Sequence, residues 1–316
     1  MHDDSLVRFT ADHVPRDDLQ RLMTRSNGPA LARAAWHLGM LALTGTLLWR
    51  LRGSPWALPV LVAHAYVLVC RFCAFHEAAH RTAFRTRWLN TLLGSLAGFL
   101  TFWPYRNYRV YHWEHHRHTQ DPARDPELYF PKPASPVAYL LVLTGVPNAI
   151  RRIGDILRLA VGIADRPWMA PSERGPLVIE ARLYLLGYAL VAGASVMAGT
   201  PVLLLVWIAP WMLGQAFLRP YLLAEHTGCG TTRDCLENTR TTLSVAAVRL
   251  FAWNMPYHAE HHAYPAIPFH ALPRLHRAVG RRIEHVEPGY VAATLTVNRF
   301  LFRRPPSPAR RESSAG

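Results

Sequence analysis

The sequence predicts an all-α integral membrane protein. Four transmembrane helices, paired as two hairpins, would carry a cytosolic helical cap that holds a histidine-rich site for two metal ions. Three observations predict this class. Hydrophobic residues make up 50% of the 316 residues and are gathered into long runs. Histidines recur in three clusters at the spacing of one helical face. The mean hydropathy of only +0.03 favours a few membrane helices with a polar cap over a pure membrane bundle.

The first hairpin is predicted from two apolar runs near the start of the chain. A polar stretch, residues 1–30, comes first and is interpreted as a cytoplasmic tail, because it has no hydrophobic signal-peptide core. The runs themselves cover residues 34–51 and 56–75 and are separated by a Gly-Ser-Pro turn at 53–55. Each is close to the roughly 20 residues that span the hydrocarbon of a bilayer, so together they predict a transmembrane hairpin.

The middle of the chain is predicted to stay on one side of the membrane. Residues 88–105 are apolar, but a full crossing would separate the histidine clusters before and after them, and a single metal centre forbids that separation. We therefore predict an interfacial helix or a re-entrant hairpin there. Residues 137–150 form a second, shorter interfacial candidate. A polar, Pro-rich loop is predicted at 165–176.

The second hairpin is predicted at residues 183–198 and 201–218, where an uncharged turn separates two apolar runs. The main domain would then cover residues 31–302. The last residues, 303–316, are rich in proline and arginine and are predicted to form a disordered basic tail.

The charge balance supports this topology. The chain carries 35 Lys and Arg against 21 Asp and Glu, for a formal net charge of +14. Because the chain has long apolar runs, we attribute this positive charge to contact with anionic lipid and to the positive-inside rule. No nucleic-acid partner is expected. Both termini and all histidine clusters are predicted to be cytoplasmic. Cys70 and Cys73 form a C-x-x-C pair, which a redox or zinc site can use, but they lie inside an apolar run and are interpreted as small buried hydrophobes. Cys229 and Cys235 have no ligand-type spacing.

The histidine clusters predict a metal centre. Within each cluster the histidines stand three or four positions apart, so a helix would place them on one face. Imidazole is the commonest protein metal ligand, and eight imidazoles exceed the roughly six ligands that one transition ion takes, so two ions are the simpler inference. The spacing does not choose between iron, zinc, copper and nickel. The predicted ligands are His76, His80, His112, His115, His116, His258, His261 and His262.

One alternative arises from the first cluster alone. The stretch 76–80, His-Glu-Ala-Ala-His, also fits the H-E-x-x-H signature of zinc metalloproteases. A site of that kind needs only one further protein ligand and a glutamate base. It would leave the two H-x-x-H-H clusters without a role, so a membrane protease is the remote alternative.

The three histidine boxes resemble those of the membrane fatty acid desaturase and hydroxylase superfamily. The flanking stretches at 118–122, 124–127 and 253–257 share the resemblance, which extends over roughly residues 35–290. It implies two non-haem irons that use O₂ as co-substrate to attack an unactivated C–H bond, with no catalytic residue beyond the metal centre. It also implies a ninth ligand between the second and third boxes, for which His226 is the best candidate because it follows the fourth predicted span.

The resemblance implies O₂-dependent oxidation of a lipid acyl chain, most directly by a fatty acid desaturase. Hydroxylation or ketolation of a fatty acid, an alkane or a carotenoid remains open, as does oxidative decarboxylation of a fatty acid, because the outcome depends on how the chain is positioned. A lipid-binding or metal-storing membrane protein is the non-enzymatic alternative. Electrons are expected from a separate ferredoxin-like or haem carrier. Six arginines are candidates for the surface that binds this carrier, or they reflect the positive-inside topology alone. They are arginines 81, 85, 87, 151, 152 and 158.

Two further sets of residues are candidates for supporting roles. Carboxylates near the boxes are suited to orient imidazole N–H groups, or they are simply solvated surface charges. These carboxylates are Glu77, Glu114, Asp121, Asp125, Glu225 and Glu260. Four aromatic residues could line a tunnel for an acyl chain or anchor the protein in the membrane interface: Trp103, Tyr105, Tyr108 and Tyr111.

Overall fold

The computed structural model describes residues 14–303, and helices dominate them. The predicted tail at 303–316 lies almost wholly outside the described residues, as do residues 1–13. In chain order the α-helices are α1 (Arg16–Leu22), α2 (Gly28–Arg50), α3 (Ala57–Val69), α4 (Arg71–Ala79), α5 (Arg87–Leu100), α6 (Tyr105–His118), α7 (Pro136–Leu143), α8 (Val146–Ala160), α9 (Pro171–Met197), α10 (Ala209–His226), α11 (Cys235–Asn238), α12 (Ala246–Phe251), α13 (His258–Ala263), α14 (Leu272–Val279) and α15 (Tyr290–Leu301). A π-helical turn, Leu204–Ile208, leads into α10, and a 3₁₀ turn, Gly280–Arg282, follows α14.

Strands contribute little to this fold. Within the described residues, β1 (Arg240–Thr242) and β2 (His285–Glu287) pair in parallel, with Arg240 opposite His285. All three residues of β1 are buried, and Thr242 donates its N–H to the carbonyl of Pro256 at 2.9 Å. The short sheet therefore fixes the chain just before α13.

Two stretches of the described chain are long and apolar enough to cross a membrane. They are Ala57–Ala79, which joins α3 and α4 and has a mean hydropathy of 1.9, and Pro171–Met197, with a mean hydropathy of 1.5. The first covers the predicted span 56–75 except for residue 56, and the second covers the predicted span 183–198 except for residue 198. The helical class and the histidine-rich cluster are thus confirmed, while the count of four spans stays a prediction.

The predicted loop at 165–176 is wrong in its second half. Helix α9 already begins at Pro171, whose fixed φ suits the first helical turn. Pro176 also lies inside the helix. It removes one backbone hydrogen bond near the helix start, where the 21 residues that follow keep the helix intact. The prolines and charged residues of this stretch are typical of a loop, although the chain is helical from residue 171 onward.

The interfacial candidates form short helices. Helix α5 has 14 residues, so its length of about 21 Å is less than the roughly 30 Å of bilayer hydrocarbon. Gly94 lets α5 approach the start of α6, since a Cβ there would lie 2.2 Å from the ring of Tyr105. Helices α7 and α8 form a second short pair, and α8 exposes a row of apolar residues that includes Ile150, Ile153 and Leu157.

A dense core supports α13, which carries the third histidine cluster. Trp253 and Asn254 both adopt left-handed φ values, of 50° and 57°, and so turn the chain into this helix. The side chain of Asn254 donates to the carbonyl of Phe269 at 3.0 Å, and the Trp253 ring packs on the ring of Phe269. Met255 is fully buried. These contacts place the third cluster against the first two.

Candidate metal centre

All nine predicted ligands come together where four helices meet. Helix α4 and its C-cap supply the first box, α6 the second and α13 the third, and α10 ends at His226. No imidazole of this set is more than 6% exposed. Three boxes and one isolated histidine, separated along the chain by up to 186 positions, therefore form one buried cluster.

The cluster divides into two groups. Within each group, all ligand atoms lie within 4.8 Å of one another. The first group contains His76, His80, His112, His116 and His261. The second contains His115, His226 and His262. His258 lies beside the second group, with its Nε2 atom 3.2 Å from Nε2 of His226. Two adjacent groups match the prediction of two ions.

The distances between ring nitrogens fit metal ligation. In the first group, Nε2 of His76 lies 2.8 Å from Nε2 of His261, and Nε2 of His80 lies 2.7 Å from Nε2 of His112. Two imidazoles bound at about 2.1 Å to one ion, at right angles, would have nitrogens about 3 Å apart. The Nε2 atom of His262 is buried and has no hydrogen-bond partner among residues 14–303, so it is free to bind an ion. A set of buried imidazole nitrogens suits iron, zinc, copper or nickel ions.

Burial keeps most of these imidazoles neutral. It lowers the pKa of His261 to about 3, and it lowers the pKa values of other members well below the usual range, with neighbouring imidazoles adding to the effect. These other members include His80, His112, His116, His226, His258 and His262. The neutral imidazole is the form that binds a metal ion, so the cluster is ready to bind metal at neutral pH.

His115 differs from the other members. Burial lowers its pKa, but the carboxylates of Glu127 and Asp125 together outweigh burial and raise the pKa to about 9. Asp125 Oδ1 lies 2.9 Å from Nδ1 of His115, and Glu127 Oε1 lies 3.9 Å from Nε2. Two carboxylates next to one imidazole create negative charge that a cation at Nε2 would offset in place of a proton.

Asp125 is held against His115 by the loop that follows α6. Gln120 takes a left-handed φ of 61° and turns the chain back. The Asp125 carboxylate then accepts the backbone N–H groups of Gln120 and Glu127, each at 2.8 Å, as well as Nδ1–H of His115. A carboxylate fixed in this way orients the imidazole and sets its tautomer, so that Nε2 faces the cluster.

Other groups orient the second group of histidines. The Thr119 hydroxyl donates to the carbonyl of His115 and lies 3.2 Å from Nδ1 of His262, from which it can accept. Nδ1 of His226 lies 3.4 Å from the carbonyl oxygen of Asn238. Glu225 Oε1 lies 3.4 Å from Nδ1 of His258. Sequence reasoning missed Thr119 and Asn238, because a hydroxyl and a backbone carbonyl carry no motif.

Four of the six candidate carboxylates contact other partners. These are Glu77 with the N–H of Phe269, Glu114 with Arg117 and His118, Asp121 with Arg124, and Glu260 with Thr241 and His276. Glu77 is fully buried, and its carboxylate accepts the backbone N–H of Phe269. In a metalloprotease the corresponding glutamate would instead act as a base on the metal-bound water. Of the six candidates, Asp125 and Glu225 are therefore the ones that lie beside predicted ligands, and Glu127, which was not among the candidates, also lies beside His115.

A cavity of about 470 Å³ opens next to the cluster. His76, His112 and His258 line it, and so do Trp103 and Tyr108. Tyr111 also belongs to the wall, whereas the hydroxyl of Tyr105 donates to the carbonyl of Ala78 at 2.7 Å. The volume lies within the range of pockets that bind small molecules. A substrate inside it would lie against ligand residues of both groups.

The chain matches a known family over most of its length. The family model described as fatty acid desaturase matches residues 53–294. The sn-1 oleoyl-lipid 12-desaturase of Picosynechococcus sp. is 24% identical over 301 residues, which cover 88% of this chain and 83% of that protein. The dihydrorhizobitoxine desaturase of Bradyrhizobium elkanii is 28% identical over 73% of this chain and 68% of its own. The zeaxanthin 4-ketolase of Chlamydomonas reinhardtii is 27% identical over 83% and 59%.

Proposed function

The chain belongs to the fatty acid desaturase family of oxidoreductases, and from that premise we propose that it desaturates a lipid acyl chain with O₂ at a two-iron centre. The observation that carries this proposal is the pair of adjacent imidazole groups beside a cavity. A metalloprotease leaves most of these imidazoles unexplained, whereas a dinuclear oxidase uses all nine.

Each part of the site has a role in this reaction. The first imidazole group would hold one iron, and the second group with His258 would hold the other. Bound iron supplies the oxidising power that a methylene C–H bond requires, since no protein acid or base can abstract such a hydrogen. Asp125 keeps His115 oriented, and the aromatic wall that includes Trp103 and Tyr108 excludes water and holds the chain.

The electron balance requires a partner. Desaturation removes two hydrogen atoms from the chain, and full reduction of O₂ to two waters takes four electrons and four protons. The substrate supplies two of each, so a donor must supply the other two electrons, with two protons from solvent. We propose a separate ferredoxin-like or haem carrier for this role.

Hydroxylation or ketolation is the second candidate, because a ketolase is among the relatives. Desaturation and hydroxylation both begin with attack on the same kind of C–H bond of the substrate. The position of the neighbouring C–H bond decides which of the two reactions follows. Oxidative decarboxylation of a fatty acid is a third outcome of the same chemistry.

Product analysis distinguishes these reactions. We expect a host that expresses the chain to accumulate acyl chains lighter by two hydrogen atoms, detected by mass spectrometry of total lipids. A host that expresses the His116→Ala variant should lack them, because His116 belongs to the first imidazole group. Acyl chains that gain one oxygen atom and lose no hydrogen atoms would identify the reaction as hydroxylation rather than desaturation. Unchanged lipids and carotenoids in a host with a suitable donor would contradict the proposal.

We also propose four membrane spans with the metal centre and both termini in the cytoplasm. The spans are 34–51, 56–75, 183–198 and 201–218, within a catalytic domain of residues 31–302. Two spans are supported by helices of sufficient length and hydropathy, and α2 and the 204–226 segment are the partner helices in each hairpin.

Reporter fusions test this topology. Reporters at both termini and within residues 162–169, ahead of α9, should be cytoplasmic, and reporters at Gly53 and Thr200 should be on the opposite side. Single cysteines introduced at the same sites and labelled with a membrane-impermeant thiol reagent provide an independent measurement. A reporter placed after α5 that appeared on the outer side would contradict the topology, since the first two histidine boxes could not then share one centre.

A further inference from the structure

Basic residues form part of the wall of the cavity at the metal centre. Lys132, Arg151, Arg152 and Arg219 line the same space as the histidines. Two carboxylates, Glu127 and Glu225, also line it, and each lies within 4 Å of a histidine rather than of an arginine. The cavity wall therefore carries an excess of positive charge before any metal ion is added.

Arg152 is buried without an acidic partner. Its side chain is 9% exposed and lies over the ring of Trp103. Among residues 14–303 no carboxylate forms an ion pair with it. Asp155, one helical turn further along α8, pairs with Arg166 instead, at 2.5 Å. A buried charge without a partner is costly, so this position suits a guanidinium whose partner is a ligand.

The other two arginines are held by neutral amides. Arg219 donates Nε–H to Oε1 of Gln215 at 2.9 Å, and Arg151 donates to Oδ1 of Asn148 at 3.3 Å. Asn148 in turn donates to Oε1 of Gln215 at 3.5 Å. Amide oxygens orient a guanidinium without neutralising it, so the positive charge remains available to the cavity.

The packing around this amide network is tight. Gly145, with a left-handed φ of 77°, lies against Gln215, and a Cβ at Gly145 would be 2.4 Å from Cγ of Gln215. Gln215 is fully buried and Asn148 is 7% exposed. The turn between α7 and α8 therefore packs tightly against α10 and holds the amides that orient Arg151 and Arg219. A cationic site that is ordered in advance loses less conformational entropy when it binds an anion.

Two simpler explanations do not account for Arg152. The positive-inside rule requires arginines on the cytoplasmic side of the membrane and does not require one to be buried. A docking face for an electron carrier needs exposed charge, which Arg158 provides and Arg152 does not.

We propose that this cavity selects amphiphiles that carry an oxyanion, a carboxylate or a phosphate, and that Arg152, with Arg151 and Arg219, binds that group. Guanidinium groups match both oxyanions in geometry and charge. The apolar part of the wall, which includes Phe72, Val142 and Leu222, suits the hydrocarbon chain. The inference rests on the proposed function and specifies its substrate class.

Ligand binding to the purified full-length protein tests the inference without turnover. Oleate and oleyl alcohol share one chain and differ in the charge of one end, and oleoyl lysophosphatidate and monoolein form a second such pair. Trp103 in the cavity wall makes quenching of tryptophan fluorescence a suitable readout. We expect at least one anion to bind about 10-fold or more tightly than its neutral partner, which corresponds to about 1.4 kcal/mol. Preference for oleate alone indicates a free acid, and preference for lysophosphatidate alone a phosphate head group.

Variants assign the preference to the arginines. Arg152→Gln should bring the affinity for the anion down to that for the neutral ligand, and should leave the neutral ligand unaffected. Arg158→Gln is the matched control, since it removes one arginine from the same helix at an exposed ion pair with Asp165. Arg152→Lys keeps the charge and should retain part of the preference. If Arg152→Gln does not fold, Arg219→Gln provides the same comparison.

Three outcomes separate the possibilities. Equal binding of charged and neutral ligands by the wild-type protein overturns the inference. An anion preference that survives both Arg152→Gln and Arg219→Gln also overturns it, because the anion would then be bound elsewhere, for instance by the metal ions. Anion-selective binding with no oxidised product in cells supports this site and contradicts the proposed reaction, so the two failures are distinguishable.

Discussion

Replacement of His261 by alanine is expected to empty the first imidazole group of metal and to abolish oxidation. His261 is fully buried, and its Nε2 atom lies 2.8 Å from Nε2 of His76 and 3.1 Å from Nε2 of His80. It therefore supplies a ligand from the third box to the group built by the first two boxes. Loss of a group that merely orients a ligand costs 10–100-fold in metal affinity, so loss of the ligand itself should cost more than about 100-fold.

The measurement is metal content together with turnover in the same preparation. His270→Ala is the matched control, because His270 lies eight residues beyond His262, the last histidine of the third box, and outside both imidazole groups. It should keep its iron and near-normal turnover. A His261→Ala protein that retained full iron and measurable oxidation would remove His261 from the ligand set.

Replacement of His226 by alanine is expected to be as damaging, although no box contains this residue. It is 2% exposed, and its Nε2 atom lies 3.2 Å from Nε2 of both His115 and His258. It thus connects the second box to the third within the second imidazole group. Without it, the second group is left with too few imidazoles near one another to retain an ion, so iron content should fall by about half or more and turnover should be lost.

A purely structural role for His226 predicts a different result. A residue that only ends helix α10 would cost at most about 1 kcal/mol of stability on replacement. Iron would then be retained, and turnover would follow the amount of folded protein. Thermal unfolding of His226→Ala and His270→Ala, measured beside their iron content, separates the loss of a ligand from the loss of stability.

The sequence predicted the parts of this site that depend on local periodicity. Spacings of three and four residues placed the box histidines on helical faces, and the structure brings His76, His112 and His261 together as one group. His226 was predicted through the family resemblance and lies in the second group. The count of two ions followed from the number of imidazoles alone.

Features that depend on tertiary packing could not be predicted. The helical state of 171–176 was missed, because proline and charge near a helix start resemble a loop until the rest of the helix is considered. Burial of Arg152 was missed for a similar reason. On the sequence it is one of several arginines beside an apolar run, and only the packing of α8 against Trp103 places it in the cavity. Thr119 carries no metal-binding signal, and its role depends on how close His262 lies.

The metal content of the purified wild-type protein tests the central claim most directly. Two buried imidazole groups side by side predict close to two irons per chain, determined by elemental analysis against quantitative amino-acid analysis. The same preparation should oxidise its substrate when O₂ and a reduced carrier are supplied. A protein that was fully active with a single iron per chain, or with zinc in place of iron, would contradict the dinuclear iron centre.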